Sequence, residues 1–328
     1  MRSKWIIISL SIIILLLIGI IIHLYDPAPS DGLLSPRVYA GILEPKSYLI
    51  LDYDPLRTYL QDYILENNYN ISVYVVNLRS GASFGINARE SFSPASLNKV
   101  PLAILILKQV EEGSLSLDQL AGVFPADRNN ASGSLYNTSQ TQLPIRTLLI
   151  YMLRESDNTA YNVLSRYINN QDFNVLLWNY FGYYGTNTTQ TGQVIKEDRF
   201  VNPHDIYNLF SSLYLSTVLS PENSEFILSQ LSDSVLDIKQ HAGLPEEVVI
   251  AHKFAIKDDQ DPPQFHDCGI IYYKDMRTFY CVMTRGLPAQ EGIDVAAQIV
   301  QRIYTYNTNV RAFFDQYKES SINPTSTK

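Results

Sequence analysis

The chain has 328 residues, 46% of them hydrophobic and 18% charged. That composition is globular, long enough for one large domain or two small ones, and it excludes a largely disordered or fibrous chain. With a formal net charge of −8 and no basic tract, nucleic acid is not an expected partner.

Arg2 and Lys4 precede an apolar run from Trp5 to Leu24. Its length, on the order of 20 residues, suits a bilayer-spanning helix. The run ends in His23-Leu24-Tyr25-Asp26, which lacks the small residues of a cleavage site. Residues 1–25 are therefore expected to form an uncleaved signal anchor, a transmembrane helix that makes the membrane a partner. Basic residues before it keep the N-terminus cytoplasmic and place the rest on the extracytoplasmic side of the cell membrane. Residues 26–47 contain several Pro, Ser and Gly and read as a linker. One domain is expected over residues 48–317, followed by a polar, disordered tail over 318–328.

Within the domain, Pro55 to Leu65 has helical spacing, and Ile71, Val73 and Val75 alternate as in a strand. Arg79-Ser80-Gly81 signals a turn, so Ser83 to Ile86 returns as the partner strand. Leu97 to Gly113 is a helix that is apolar almost all round, which predicts burial at the centre of the domain. Pro101 is expected to bend it. A largely helical stretch follows from Pro144 to Leu231, with segments Pro144 to Leu153 and Thr159 to Ile168. Asn202-Pro203-His204-Asp205 and Ser220-Pro221-Glu222 both read as helix starts, each with a capping residue, a Pro and an acid. Strands return at Val248 to Phe254, Gly269 to Tyr273 and Phe279 to Thr284, the last two joined by Lys274-Asp275-Met276-Arg277. Ile293 to Tyr304 closes the domain as an amphipathic helix. The order predicts an α/β (α+β) fold: an antiparallel sheet built from both ends of the chain, with a helical subdomain inserted.

Three strings carry chemistry. Ser96 stands three residues before Lys99 in the first turn of the buried helix, so the two share a face. The helix start favours negative charge developing on the Ser oxygen, and a crowded Lys with a lowered pKa can take its proton. Read alone, the pair is equally a capping Ser with a solvated Lys, although the apolar helix speaks against solvation. Ser156-Asp157-Asn158 lies between two helical segments. Read alone it is a polar cap. Lys253 follows the apolar run Val248-Val249-Ile250-Ala251-His252, and alone it is an edge lysine.

Together these strings match the S-x-x-K, S-D-N and K-T-G set of class A β-lactamases and penicillin-binding proteins. From about Asn70 to Ile303 the chain resembles that superfamily. Phe92-Ser93-Pro94-Ala95 before Ser96, Gly243-Leu244-Pro245, Gly269-Ile270-Ile271 and Thr284-Arg285-Gly286 add to the likeness. The resemblance implies a β-lactamase-like fold without a cofactor. It implies Ser96 as acylated nucleophile, Lys99 as its base or proton relay, Ser156 as a catalytic relay and Asn158 as a substrate-binding wall. Lys253, Phe254 and Ala255 would form the substrate strand, with the Ser96 and Ala255 N–H groups as oxyanion hole. The implied partners are a β-lactam or a peptidoglycan stem peptide. The implied activity is β-lactam hydrolysis. The alternatives are a D-Ala-D-Ala peptidase that releases its acyl group slowly, or a non-catalytic cell-wall-binding relative.

Three departures bear on the choice. Phe254 and Ala255 stand where the motif has Thr and Gly, and Cys268 stands at the place of the family's carboxylate-holding Arg. The region from Gly182 to Pro203 offers only Glu197 and Asp198 for the loop acid. Asn202 has the right spacing from Asp198, but the helix-cap reading of Asn202 is preferred. A rival nucleophile, Ser83 in Gly81-Ala82-Ser83-Phe84-Gly85, lacks the following helix that a nucleophile elbow needs. Cys268 and Cys281 fall on neighbouring strands. Two buried free thiols are the preferred reading, with a bond left open. His266-Asp267-Cys268 is too little for a zinc site; His23 falls in the anchor, and for His252 and His266 a structural role is preferred to lining the cleft.

Overall fold

The computed structural model describes residues 32–35, 51–168, 200–259 and 261–322. Its frame is a five-stranded antiparallel sheet in the order β2-β1-β7-β6-β5. The strands are β1 (Asn70–Asn77), β2 (Ser83–Ile86), β5 (Val249–Lys257), β6 (Gln264–Tyr273) and β7 (Met276–Arg285). A separate ribbon pairs β3 (Leu120–Gly122) with β4 (Gln142–Pro144). The long β1–β7 pairing, from Asn70↔Arg285 to Asn77↔Thr278, joins the two ends of the chain as expected.

Helices α1 (Asp54–Glu66) and α8 (Ala289–Ile322) cover one sheet face. Ile71, Val73 and Val75 point to that face and meet Leu56, Leu60 and Ile64 of α1 and Ile299, Val300 and Ile303 of α8. The period-2 and period-3.6 patterns of these segments are thus one observation seen from two sides of a core. The other face carries α2 (Lys99–Glu111), α3 (Ile145–Arg154), α4 (Asn158–Ser165), α5 (Pro203–Tyr214) and α6 (Pro221–Ser232). The short α7 (Ile238–His241) precedes β5. In α2 every residue from Lys99 to Leu107 is buried, as a helix apolar on all sides requires. Gly113, at φ +76°, terminates it.

Several boundaries differ from expectation. The helix predicted from Leu97 begins as a 3₁₀ turn, Ala95–Asn98, and becomes α-helical at Lys99. Pro101 then falls in the first α-helical turn, where its missing N–H forfeits no bond, so a bend is not required. Strands β6 and β7 are longer than read, leaving only Lys274 and Asp275 to turn the hairpin. Helix α8 runs to Ile322, through the first residues of the expected tail.

The expected transmembrane helix, residues 1–25, lies outside the described residues. Among the described residues no helix is long and apolar enough to cross a membrane. Part of the expected linker is docked on the domain. The Leu33 N–H donates to the Glu225 carboxylate, the Tyr272 hydroxyl donates to the Leu33 carbonyl, and the Ser35 N–H donates to the Tyr214 carbonyl. Leu34 is buried in the core between sheet and helices.

Candidate active site

In a 3₁₀ turn, side chains three apart eclipse. Ser96 and Lys99 therefore stack, with Lys99 Nζ 2.8 Å from Ser96 Oγ. The turn is entered through Ala95 at φ +44°, a left-handed conformation unusual for alanine. Lys99 Nζ also lies 2.7 Å from the Ser156 carbonyl, 3.1 Å from Ser156 Oγ and 2.7 Å from Asn158 Oδ1. One amine thus links the first two motifs, 57 residues apart in sequence. Burial pushes Lys99 down to about 7, against the opposing pull of Asp157.

The second motif is held by its middle residue. Asp157 caps α4 by accepting the Ala160 N–H at 2.7 Å, and it also accepts the Leu135 N–H at 2.8 Å. Ser156, at φ +56°, projects its carbonyl and hydroxyl toward Lys99. The Asn158 amide donates to Asn129 Oδ1 at 3.3 Å, while its oxygen takes Lys99. Asn129 and Gly133 were not singled out from sequence. Both sit in a loop that meets the motif only through the fold. Gly133 packs on Asp157 so closely that a Cβ would fall 2.1 Å from the carboxylate.

Lys253 lies on the edge strand β5 and is fully buried. Its Nζ donates to the Phe254 carbonyl at 3.0 Å and stands 4.2 Å from the centre of the Phe254 ring. Burial, followed by the nearby Lys99, holds it well below the usual lysine range. Phe254 lies on β5 with Lys253, as expected, and its side chain packs with the core on the α1–α8 face.

The ladder also revises the expected oxyanion donor. The Phe265 N–H and carbonyl both bond the Thr284 hydroxyl, on the β7 side. Neighbouring residues in a strand direct their backbone groups oppositely. His266 therefore faces β5 and pairs with Ala255, whose N–H points into the ladder. Phe254 and Ile256 are the residues beside it that direct N–H groups outward from the edge, and the Phe254 carbonyl already takes Lys253. The strand is tied to the segment that leads into Ser96. Lys257 Nζ donates to Ser93 Oγ at 2.9 Å, and the His266 ring lies 3.0 Å from the Ser93 carbonyl.

Cys268 and Cys281, directly opposed on β6 and β7, form a disulfide, contrary to the preferred free-thiol reading. Cross-strand register brings them together, which residue spacing alone did not decide. His252 is structural, bonded to Asp267 at 2.7 Å and to the Leu236 carbonyl at 2.9 Å. Ser83 sits in β2, paired to β1, so no helix follows it. Asn202 caps α5 in a reciprocal box with Asp205. Glu197 and Asp198 lie outside the described residues.

Residues 55–307 match the model of the beta-lactamase enzyme family. Beta-lactamase VEB-1 of Pseudomonas aeruginosa is 23% identical over 212 residues, covering 61% of this chain and 71% of its own. Among solved structures, PBP-A superposes with a TM-score of 0.68 at 22% identity, covering 78% of this chain and 97% of its own. A mutant of PBP-A, solved as an acyl-enzyme with penicillin G, superposes with a TM-score of 0.65 at 22% identity, covering 76% and 96%. The sheet, the inserted helices and a family match over most of the chain agree, and this protein belongs to the beta-lactamase enzyme family.

Proposed function

We propose that this chain is a serine hydrolase that is acylated at Ser96 and opens β-lactam rings. The supporting observation is the Lys99 amine, shared by Ser96 Oγ, Ser156 Oγ and Asn158 Oδ1 and lowered to about 7 by burial. An uncharged Lys99 accepts the Ser96 proton as Oγ attacks the lactam carbonyl. The Ser96 and Ile256 N–H groups receive the developing oxyanion. The Ser156 hydroxyl gives its proton to the lactam nitrogen as the C–N bond breaks, and regains one from Lys99. The product is an ester on Ser96, which water cleaves to regenerate the hydroxyl and release a carboxylic acid. The penicillin G adduct of the PBP-A mutant supports a β-lactam as substrate.

The second reading is a D-Ala-D-Ala peptidase acting on the stem peptide, whose acyl-enzyme forms by the same steps and is released slowly. It is favoured by the few acids in the sequence from Gly182 to Pro203. A non-catalytic cell-wall-binding relative is the third. We also place the domain on the extracytoplasmic side of the membrane, anchored by residues 1–25. The Cys268–Cys281 disulfide supports that location, because such bonds persist in oxidising compartments.

Incubation with a fluorescent penicillin followed by mass spectrometry tests the acylation. An adduct on Ser96, lost in Ser96→Ala and kept in Ser83→Ala, is expected. Fast nitrocefin turnover supports the β-lactamase, and a stable adduct supports the peptidase. Neither adduct nor turnover would remove both.

A further inference from the structure

Uncharged, the Lys99 amine has two N–H groups and one lone pair, and four oxygen atoms lie within 3.1 Å of it. The Ser156 carbonyl and Asn158 Oδ1, each at 2.7 Å, can only accept, so they take the two N–H groups. The lone pair is left for a hydroxyl, and Ser96 Oγ at 2.8 Å is nearer than Ser156 Oγ at 3.1 Å. Turning the Asn158 amide over would bring its NH2 group to Lys99 instead and claim that lone pair. Asn129 opposes the turn. Its Oδ1 accepts the Asn158 amide at 3.3 Å and the Ala131 N–H at 2.9 Å, so an oxygen and not an NH2 group faces Asn158. The Asn129 backbone is clamped to the helix that carries Asn158. Its N–H donates to Thr159 Oγ1 at 3.0 Å, and the Thr159 hydroxyl donates to its carbonyl at 3.3 Å.

We propose that Asn129 is a positioning residue for the acylation: by holding the Asn158 oxygen toward Lys99, it aims the amine lone pair at the Ser96 hydroxyl. This rests on the Ser96 acylation reading and adds the group that orients its base. The Ser96 proton passes to that lone pair as Oγ bonds the acyl carbon and the C=O electron pair moves onto oxygen. With the Asn129 acceptor gone, uncharged Lys99 divides between chains with the amide held and chains with it turned. Protonated Lys99 offers only N–H groups, so it keeps the Asn158 oxygen facing it in either case. The charged groups described beside Lys99 are Asp157 and Lys253, with the Tyr161 ring 5.9 Å from Nζ, and a change at Asn129 replaces none of them.

The test follows the rate of fluorescent-penicillin adduct formation at Ser96 against pH on the full chain. In Asn129→Ala the plateau is expected to fall about tenfold, near the loss of one hydrogen bond. Only the uncharged amine is affected, so the acid limb moves down by about one unit with it, and the curve meets the parent's at low pH. An equal loss at every pH, as from a structural role alone, overturns the proposal, and so does an unchanged profile. Asn129→Asp returns an acceptor for both N–H groups, so the plateau is expected to recover; one as low as alanine's also overturns it. Asn129→Leu is read in the same way if the alanine chain does not fold. Absence of adduct from the parent chain strikes the acylation reading itself, and this proposal with it.

Discussion

Burial holds the Lys99 amine at about 7, so its charge changes near neutral pH. The protonated form cannot accept the Ser96 proton. Adduct formation is therefore expected to fall as pH drops through about 7 and to level off above it. Asn158→Asp would put a carboxylate where an amide oxygen now sits 2.7 Å from Nζ. An adjacent opposite charge favours the ammonium, so the acid limb should move up by about one unit or more. A limb that stays in place in that variant would rule out Lys99 as the base. Ser96, Lys99, Ser156 and Asn158 could be named from sequence because each motif is local and carries its own chemistry. Their partners Asn129 and Gly133 could not, since nothing near them in the chain refers to Asp157 or Asn158.

Between residues and fold stand the loop and the ladder that hold these groups. Gly133 has φ +88° and rests on Asp157. Gly133→Ala adds both left-handed strain and a clash, so destabilisation beyond about 1 kcal/mol is expected. A lower melting temperature with slower adduct formation would show that this loop positions the second motif; unchanged values would show that it does not. The strands and helices themselves were legible, β1 from its alternation and α2, β5, β6 and β7 from their apolar runs, because the sheet is covered on both faces and α2 is buried all round. Register was not. It depends on how β5, β6 and β7 lie against one another, and it turns the Ala255 N–H inward and makes the disulfide. Replacing Cys268 and Cys281 together by alanine releases a cross-link between residues 13 apart. For a loop of that size the expected loss is about 2–3 kcal/mol, read from the urea midpoint. An unshifted midpoint would mean that the bond contributes nothing.

At the scale of the whole molecule, residues 33–35 act as a strap, although composition reads them as linker. Pro, Ser and Gly dominate their surroundings, and composition weighs the neighbourhood more than the two leucines within it. Leu34 is 2% exposed among residues of the sheet and helices. Three backbone hydrogen bonds, to Glu225, Tyr272 and Tyr214, fix the residues on either side. If residues 1–25 span the bilayer as proposed, residues 26–31 leave a tether of at most about 20 Å. The end of the domain carrying α5, α6 and the tip of β6 is then held close to the membrane. The strap's share of stability is measurable without the membrane. Leu34→Ala should cost about 2–5 kcal/mol, as for other leucines in closed cores. A chain beginning at residue 26 should melt above one beginning at residue 48, because only the first keeps the strap. Equal melting of those two chains would show that the docked segment adds no stability, and the proposed orientation toward the bilayer would then lose its mechanical basis.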